Sequence, residues 1–170
     1  MSLDHDLLRH ARDLAERAPK RPKQANIRRA ISAAYYAVFH LLTRAAARAF
    51  ADGNESLIPR LARTFNHGDM AKASKGFAKR ELPQLLRNNS AVDPVPPELS
   101  AVAEAFSKLQ ESRHTADYDG GKVFQREEAV EAVKLAEEAF QKWETVATSS
   151  AARWYLMCFS LWDTWNKPAR

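Results

Sequence analysis

The chain has 170 residues and a mass of 19.2 kDa, which is the size of one domain and too small for a TIM barrel or a doubly wound dehydrogenase. Hydrophobic residues make up 45% and charged residues 28%, so the composition is globular and argues against a disordered chain. Five glycines are few for a protein of many strands. Neither G-x-G-x-x-G nor G-x-x-x-x-G-K-[ST] occurs, which excludes the two commonest nucleotide-binding loops.

The first ten residues lack the basic and apolar regions of a signal peptide. No run of about 18 apolar residues exists that could span a membrane. Cys158 is the only cysteine, so an internal disulfide and a cysteine zinc cluster are excluded. We therefore expect a cytoplasmic protein that does not insert into a membrane.

The net charge of +5 is unevenly distributed along the chain. Residues 1–90 hold 17 lysines and arginines against 8 acidic residues, and residues 91–170 hold 9 against 13. The basic half could bind an anionic partner such as RNA. Alternatively, basic and acidic helices lie side by side and neutralise each other.

The spacing of apolar residues predicts helices separated by short polar loops. Taken in chain order, the predicted helical regions are 3–18, ended by Pro19 and Pro22; 24–51; an irregular stretch 57–86 broken at 66–69; 98–118; 126–146; and 151–165. No convincing strand is found. The pattern predicts an all-α fold, an up-and-down bundle of four or five helices over residues 1–148 with an additional C-terminal aromatic helix within residues 149–170.

Apolar stripes indicate which face each long helix buries. The predicted stripe of the second helix comprises Ile27, Ile31, Ala34, Val38, Leu41 or Leu42, Ala45 and Ala49. That of the helix over 126–146 comprises Val130, Val133, Ala136, Phe140, Trp143 and Ala147. The last helix is apolar nearly all round, which is typical of a lid packed over the bundle or of a partner interface.

Arg113 stands out in the helix over 98–118. Leu99, Val102, Phe106 and Leu109 define its buried face, and a step of about 100° per residue places Arg113 in the centre of that face. A guanidinium stays charged, so it needs a partner there. The alternatives are an ion pair with Asp117, four residues on, and an arginine that faces a bound anion such as phosphate.

Other polar residues cluster around these helices. Residues 113–119 bring Arg113, His114, Asp117 and Tyr118 next to a glycine pair, as an acid–base or phosphate site requires and as a polar helix end also shows. A polar line on the second helix comprises Arg29, Ser32, Tyr36, His40 and Arg44. If Tyr36 and His40 face Arg113, the three define one interior polar site.

His67 precedes a glycine at a predicted break, where it could cap a helix or line a groove. The five histidines lack paired ligand spacing, and no H-E-x-x-H motif occurs. We therefore expect no metal and no cofactor.

Residues 28–40 have the sequence RRAISAAYYAVFH. This segment is similar to the R-A-x-S-x-A-Y-Y-A-x-F-H helix of HEPN domains (higher eukaryotes and prokaryotes nucleotide-binding). Residues 109–119, LQESRHTADYD, resemble their R-x-x-A-D-Y helix end, and His67, Gly68 and Met70 fit the pattern between them. The resemblance covers residues 5–147 and leaves the last helix outside.

The resemblance implies a helical bundle that forms a two-fold homodimer, and a setting beside a nucleotidyltransferase partner or in a toxin–antitoxin system. Many members are metal-independent ribonucleases that use an arginine, a polar residue and a histidine four to six residues after the arginine. Here Arg113 and His114 match the first two, but residues 118–120 are Tyr118, Asp119 and Gly120.

This departure favours a non-catalytic binding or assembly module that contacts RNA, a nucleotide or a partner protein. In that interpretation Tyr36, His40, His67, Asp117 and Tyr118 are binding residues. The alternative is a toxin-type ribonuclease in which Arg113 works with His114 or His40, since a histidine can move the 2′-hydroxyl proton and an arginine can stabilise phosphate charge.

Overall fold

The computed structural model describes residues 2–17, 23–87 and 89–167 of the chain. Within these ranges the protein is all-α, and no strand occurs. Eight helices follow one another: α1 Leu3–Glu16, α2 Gln24–Ala51, α3 Ile58–Ala62, α4 His67–Ala78, α5 Gln84–Arg87, α6 Pro97–Tyr118, α7 Arg126–Val146 and α8 Ser150–Trp165. A short 3-10 turn, Glu55–Leu57, precedes α3. The all-α class is confirmed.

The helix ends have local causes. Two acidic residues in the first turn of α1, Asp4 and Asp6, favour its N-terminus through the helix dipole. The side chains of Asn66 and Ser149 accept backbone N–H groups at the starts of α4 and α8. Helix α2 ends at Ala51, because Asp52 and Gly53 take φ angles of +47° and +80° in the left-handed region.

Most predicted helix ranges are confirmed within one residue, and those of α2 and α7 match at both ends. The first helix ends at Glu16, and its predicted final residue, Ala18, lies outside the described residues together with the turn that contains Pro19 and Pro22. The predicted irregular region forms α3, α4 and α5. The break before α4 lies at residues 63–66, and residues 67–69, which were expected in the break, form the first turn of α4.

Two details of the predicted stripes are wrong. Val130 on α7 is 40% exposed, and Ala129 is buried in its place. Ala49 on α2 is exposed and Ala45 half-buried, while Ala46 and Ala47 are buried. Both differences arise because the buried face shifts around a long helix as its packing neighbours change. A single stripe of fixed period does not follow such a shift.

Contacts group the residues into two compact units. The first comprises residues 1–41 and 105–141, and the second comprises residues 42–104 and 142–170. The two units carry 13 basic against 12 acidic residues and 13 against 9. The basic and acidic halves of the sequence are therefore mixed within each unit. The predicted boundary at residue 148 stays a prediction.

The first unit joins α1 to α7 and α2 to α6 through polar contacts. Arg12 on α1 forms an ion pair with Glu137 on α7. Arg28 on α2 donates to the carbonyl oxygens of Ala116, Asp119 and Lys122, at 2.7, 2.8 and 2.5 Å. The carbonyl of Ala116 lies in the last turn of α6 and the other two follow its end. The last carbonyls of a helix have no helical partner, so Arg28 caps that end.

The second unit is built on aromatic packing between α4 and α8. Tyr155 and Phe77 lie with ring centroids 4.9 Å apart, and the hydroxyl of Tyr155 hydrogen-bonds to Ser74 at 2.7 Å. The hydrogen bond satisfies two fully buried polar groups. The aromatic face of the last helix is thus packed on α4, as the lid interpretation expects.

Gly76 on α4 allows Trp162 of α8 to approach the helix backbone. A Cβ atom at this position would overlap the Trp162 ring. We expect Gly76→Ala to lower the free energy of unfolding by about 1–3 kcal/mol, because the indole must move out of a close-packed layer. Chemical denaturation measures the change.

Gly120→Ala is the matched control, since a Cβ atom there meets nothing within 4 Å. A Gly76→Ala protein as stable as the unaltered chain would contradict the close approach. Adding Trp162→Leu to Gly76→Ala should recover part of the lost stability, because the smaller side chain vacates the space.

Candidate functional site

The candidate site lies in the first unit, where the last turns of α6 meet α2. Residues one turn apart on a helix are neighbours on its surface, so Arg113, His114, Asp117 and Tyr118 form one patch, which we call the α6 patch. Ser32, Tyr35 and Tyr36 of α2 contact it. Arg28 secures this arrangement by capping α6 immediately after Tyr118.

Arg113 is nearly buried, with 11% of its side chain exposed. Its Cζ atom lies 5.2 and 5.8 Å from the ring centroids of Tyr35 and Tyr36, within the range of a cation–π interaction. Its Nη1 atom lies 3.6 Å from Oδ2 of Asp117. The position in the buried face of α6 agrees with the sequence analysis, and the ion pair supplies the partner that the charge requires.

The Nε atom of Arg113 is the unusual feature of the site. It is buried, and among the described residues it has no hydrogen-bond acceptor. A buried donor without an acceptor is costly, typically about 1–3 kcal/mol. Such a donor can be retained where a water molecule supplies the acceptor.

Asp117 is held from both sides. Ser32 on α2 donates a hydrogen bond to its Oδ1 atom, and Arg113 faces its Oδ2 atom. The carboxylate is 32% exposed, so water or a ligand can reach it. Each carboxylate oxygen can accept more than one hydrogen bond. The group therefore retains capacity to accept from a bound molecule.

His114 and Tyr118 form the exposed part of the α6 patch. Their ring centroids lie 5.1 Å apart with 47° between the ring planes. Tyr118 is 71% exposed, so most of its ring is accessible to a bound molecule. The pair offers an aromatic face next to the charged groups of the patch.

Tyr36 and His40, two residues of the polar line on α2, are half-buried. Tyr36 and His40, one turn apart, have ring centroids separated by 6.4 Å. Burial lowers the pKa of His40, and the carboxylate of Asp4 on α1 acts in the opposite direction. Tyr36 contacts Arg113, and His40 contacts Tyr36. Tyr36 therefore lies beside both groups, and that His40 itself faces Arg113 stays a prediction.

His67 lies in the second unit as the first residue of α4. The capping group at that helix start is the side chain of Asn66, which accepts the N–H of Asp69 at 2.9 Å. His67 does not provide the cap, one of the two roles expected for it.

Sequence reasoning missed two residues at the site. Tyr35 is fully buried, and its ring centroid lies 5.2 Å from Cζ of Arg113. Burial raises the pKa of Tyr35, and the charge of Arg113 only partly opposes this. Asp4 is a carboxylate with 1% of the residue exposed. The signal for Asp4 is present in the sequence, because it continues the apolar spacing of Leu8, Ala11 and Ala15 toward the start of α1.

A groove of about 550 Å³ lies on another side of α6, between α6 and α7. Ile31, Leu109 and Phe124 contribute to its apolar lining. Lys122 and Glu128 at this groove pair with each other at 2.8 Å. The lining of this groove includes none of the four residues of the α6 patch.

Within the part of the chain that the structure describes, no group of three or more His, Cys, Asp or Glu side chains could hold a metal ion. No helix in these ranges is both long and apolar enough to cross a membrane. Burial raises the pKa of the Cys158 thiol to about 12, so this cysteine is not a thiolate nucleophile at neutral pH.

No protein-family model matches this chain. No curated protein and no solved structure matches it either. The functional interpretation therefore depends on the geometry of the site and on the resemblance seen in the sequence.

Substitutions at Arg113 separate its charge from its packing. We expect Arg113→Met to keep the free energy of unfolding within about 1 kcal/mol of the unaltered protein, because an apolar chain of similar length avoids the desolvation of a charge. Arg113→Ala should lower it by about 2 kcal/mol, because the contacts with Tyr35 and Tyr36 are lost. Equal losses in the two variants, measured by chemical denaturation, would show that the charge itself stabilises the fold.

His40 makes stability depend on pH. The unfolded chain protonates this histidine at its ordinary pKa of about 6.5, whereas burial lowers the pKa in the folded protein. The contribution of His40 to the free energy of unfolding is therefore present above about pH 6.5 and is lost as the pH falls through the lowered pKa of the folded protein. We expect His40→Gln to lose less stability than the unaltered protein between about pH 7 and about pH 5.

The matched control for this experiment is His10→Gln, which alters an exposed histidine of α1. Its stability should change with pH as that of the unaltered protein does. If His40→Gln also leaves the pH dependence unchanged, His40 does not titrate differently in the folded and unfolded chains.

Proposed function

We propose that this chain is a non-catalytic RNA-binding module, and that the α6 patch contacts a single strand. One observation carries the proposal: the exposed ring pair of His114 and Tyr118 lies on the same helix end as the positive charge of Arg113, whose side chain is 11% exposed. A stacking surface for bases next to a positive charge for phosphate is what single-strand recognition requires.

The ring pair is suited to a base. Single-stranded bases stack on tyrosine and histidine side chains, at about 1–3 kcal/mol per base. Tyr118 stands at the end of α6 with most of its ring in solvent. A base stacked on it would cover apolar surface that is otherwise exposed to water.

The cations of the site are suited to phosphate. Arg113 contributes positive charge through the 11% of its side chain that is exposed, whereas its Nε is buried out of a ligand's reach. A charge-assisted hydrogen bond to a phosphate oxygen is among the stronger ones in proteins. Arg29 is exposed on α2, one turn before Ser32. Since Ser32 contacts Asp117, Arg29 can serve as a second phosphate contact at the edge of the patch.

The same geometry favours binding without cleavage. Asp117 lies 3.6 Å from the guanidinium of Arg113, so part of the positive charge is already balanced. A phosphodiester gains negative charge during cleavage, and a carboxylate at this position opposes that change. Tyr118 stands at the position where the HEPN-like pattern has histidine, and a phenol lacks the imidazole nitrogen that would accept a proton during cleavage.

The resemblance to HEPN domains supports this proposal and extends it to a cytoplasmic homodimer, with a nucleotidyltransferase or a toxin–antitoxin system as its setting. The second candidate is a metal-independent ribonuclease. The lowered pKa of His40 favours it, because a neutral imidazole near Tyr36 could accept a proton.

RNA binding can be measured by fluorescence polarisation with a labelled single strand of mixed sequence, in EDTA and at low salt. We expect binding that weakens as salt is added. Tyr118→Ala should weaken it about tenfold, because one stacked base loses its platform. Tyr118→Phe should bind nearly as well as the unaltered protein, because the ring remains.

Arg113→Met should also weaken binding, whereas Val123→Ala, a change at an exposed apolar residue outside the patch, should not. Absence of RNA binding even at low salt would overturn the proposal. RNA cleavage that is lost in His40→Ala would instead support the ribonuclease.

A further inference from the structure

An exposed carboxylate such as that of Asp117 is not expected in a surface that binds only phosphate. A carboxylate repels the backbone of RNA, and a third of this one is exposed beside the stacking rings. If its purpose were only to neutralise Arg113, a direct hydrogen bond would be expected, but the 3.6 Å between Nη1 and Oδ2 is longer than one. Asp117 therefore has acceptor capacity that Arg113 does not use.

The neighbours of Asp117 restrict which bound groups can donate to its carboxylate. Ser32 occupies one lone pair of Oδ1 and restrains the rotation of the side chain. On α6, His114 lies three residues before Asp117, so the two side chains are neighbours on the helix surface. A base stacked on the rings of His114 and Tyr118 can present its edge to the carboxylate.

The four RNA bases differ in what they can offer a carboxylate. Guanine carries two adjacent donors on its Watson–Crick edge, N1–H and the N2 amino group. Adenine and cytosine each pair one amino group with an adjacent ring acceptor, and uracil has one N–H between two carbonyl oxygens. Only guanine matches both carboxylate oxygens with donors, and the acceptors of the other bases are repelled.

We infer that the α6 patch selects guanine in single-stranded RNA, with Asp117 accepting from N1–H and the N2 amino group while the base stacks on Tyr118. This inference rests on the proposed RNA-binding function. It assigns separate roles within the patch: the rings supply affinity for any base, Arg113 binds phosphate, and Asp117 provides the choice among bases.

The test compares short labelled uridine oligomers that carry one central guanine, inosine, adenine, cytosine or uracil, by fluorescence polarisation with the full chain. A bidentate contact discriminates by about 1–3 kcal/mol, so guanine should bind about tenfold more tightly than uracil. Inosine lacks the N2 amino group and should lie between them. This comparison uses only the unaltered protein, so its outcome does not depend on whether a variant folds.

Asp117→Asn keeps the oxygen that Ser32 can donate to but replaces the second acceptor by a donor. In this variant the guanine and uracil oligomers should bind within about twofold of each other. The uracil oligomer should bind more tightly than it does to the unaltered protein, because the repulsive charge is gone. Glu131→Gln removes an exposed acid of α7 and is the control for a general effect of charge.

Equal binding of all five oligomers to the unaltered protein would overturn guanine selection and leave RNA binding intact. A guanine preference that survives in Asp117→Asn would assign the selection to another residue and overturn the role of Asp117. If no oligomer binds at low salt, both the guanine inference and the proposed function are wrong.

Discussion

The constraint on which the site depends is the charge of Arg113 in the apolar face of α6. A guanidinium does not release its proton in a protein, so the surroundings must accommodate the cation. Two tyrosine rings of α2 cover it, and Asp117 balances it from one turn further along α6. The arrangement requires α2 and the last turns of α6 to stay in register.

A second arginine, Arg28, keeps α2 and the end of α6 in this register. Arg28 donates to one backbone carbonyl in the last turn of α6 and to two beyond its end. Its Cζ atom lies 5.1 Å from the ring centroid of Phe124. Gln24 adds two hydrogen bonds with the backbone of Phe124, at 2.6 and 2.9 Å. The segment after Tyr118 is therefore held against the start of α2, and the exposed rings of the patch stand on a supported helix end. A binding surface benefits from such support, because less conformational entropy is lost when a ligand is bound.

The second unit is stabilised in another way. Its core depends on the fit between large aromatic residues of α8 and small ones of α4, with Gly76 beneath Trp162 and Ser74 bonded to Tyr155. Charges contribute at its surface, as in the contact between Lys72 and Asp163, where solvent screening leaves an ion pair with little effect on stability. This unit has the larger positive charge of the two, a net of +4 against +1. The charge asymmetry read along the sequence is therefore a poor guide to where positive surface lies.

The sequence alone determined the helices and the burial of Arg113, because both follow from local periodicity. The apolar repeat of α2 and α7 is long and regular, and the Asp52–Gly53 turn and the residues Pro96 and Pro97 mark helix ends by backbone chemistry. The same periodicity placed Arg113 in line with Leu109 and indicated Asp117, one turn away, as one of two candidate partners.

Only the tertiary structure decided which groups from different helices meet. Tyr35 and Ser32 reach the α6 patch, Arg28 caps a helix that ends 90 residues further along the chain, and Asp4 is buried near His40. No repeat in the sequence predicts these contacts, because each depends on how two helices are rotated and placed against each other. The shift of burial from Val130 to Ala129 has the same origin. A helix has a fixed repeat, but its neighbours determine which part of the surface is covered.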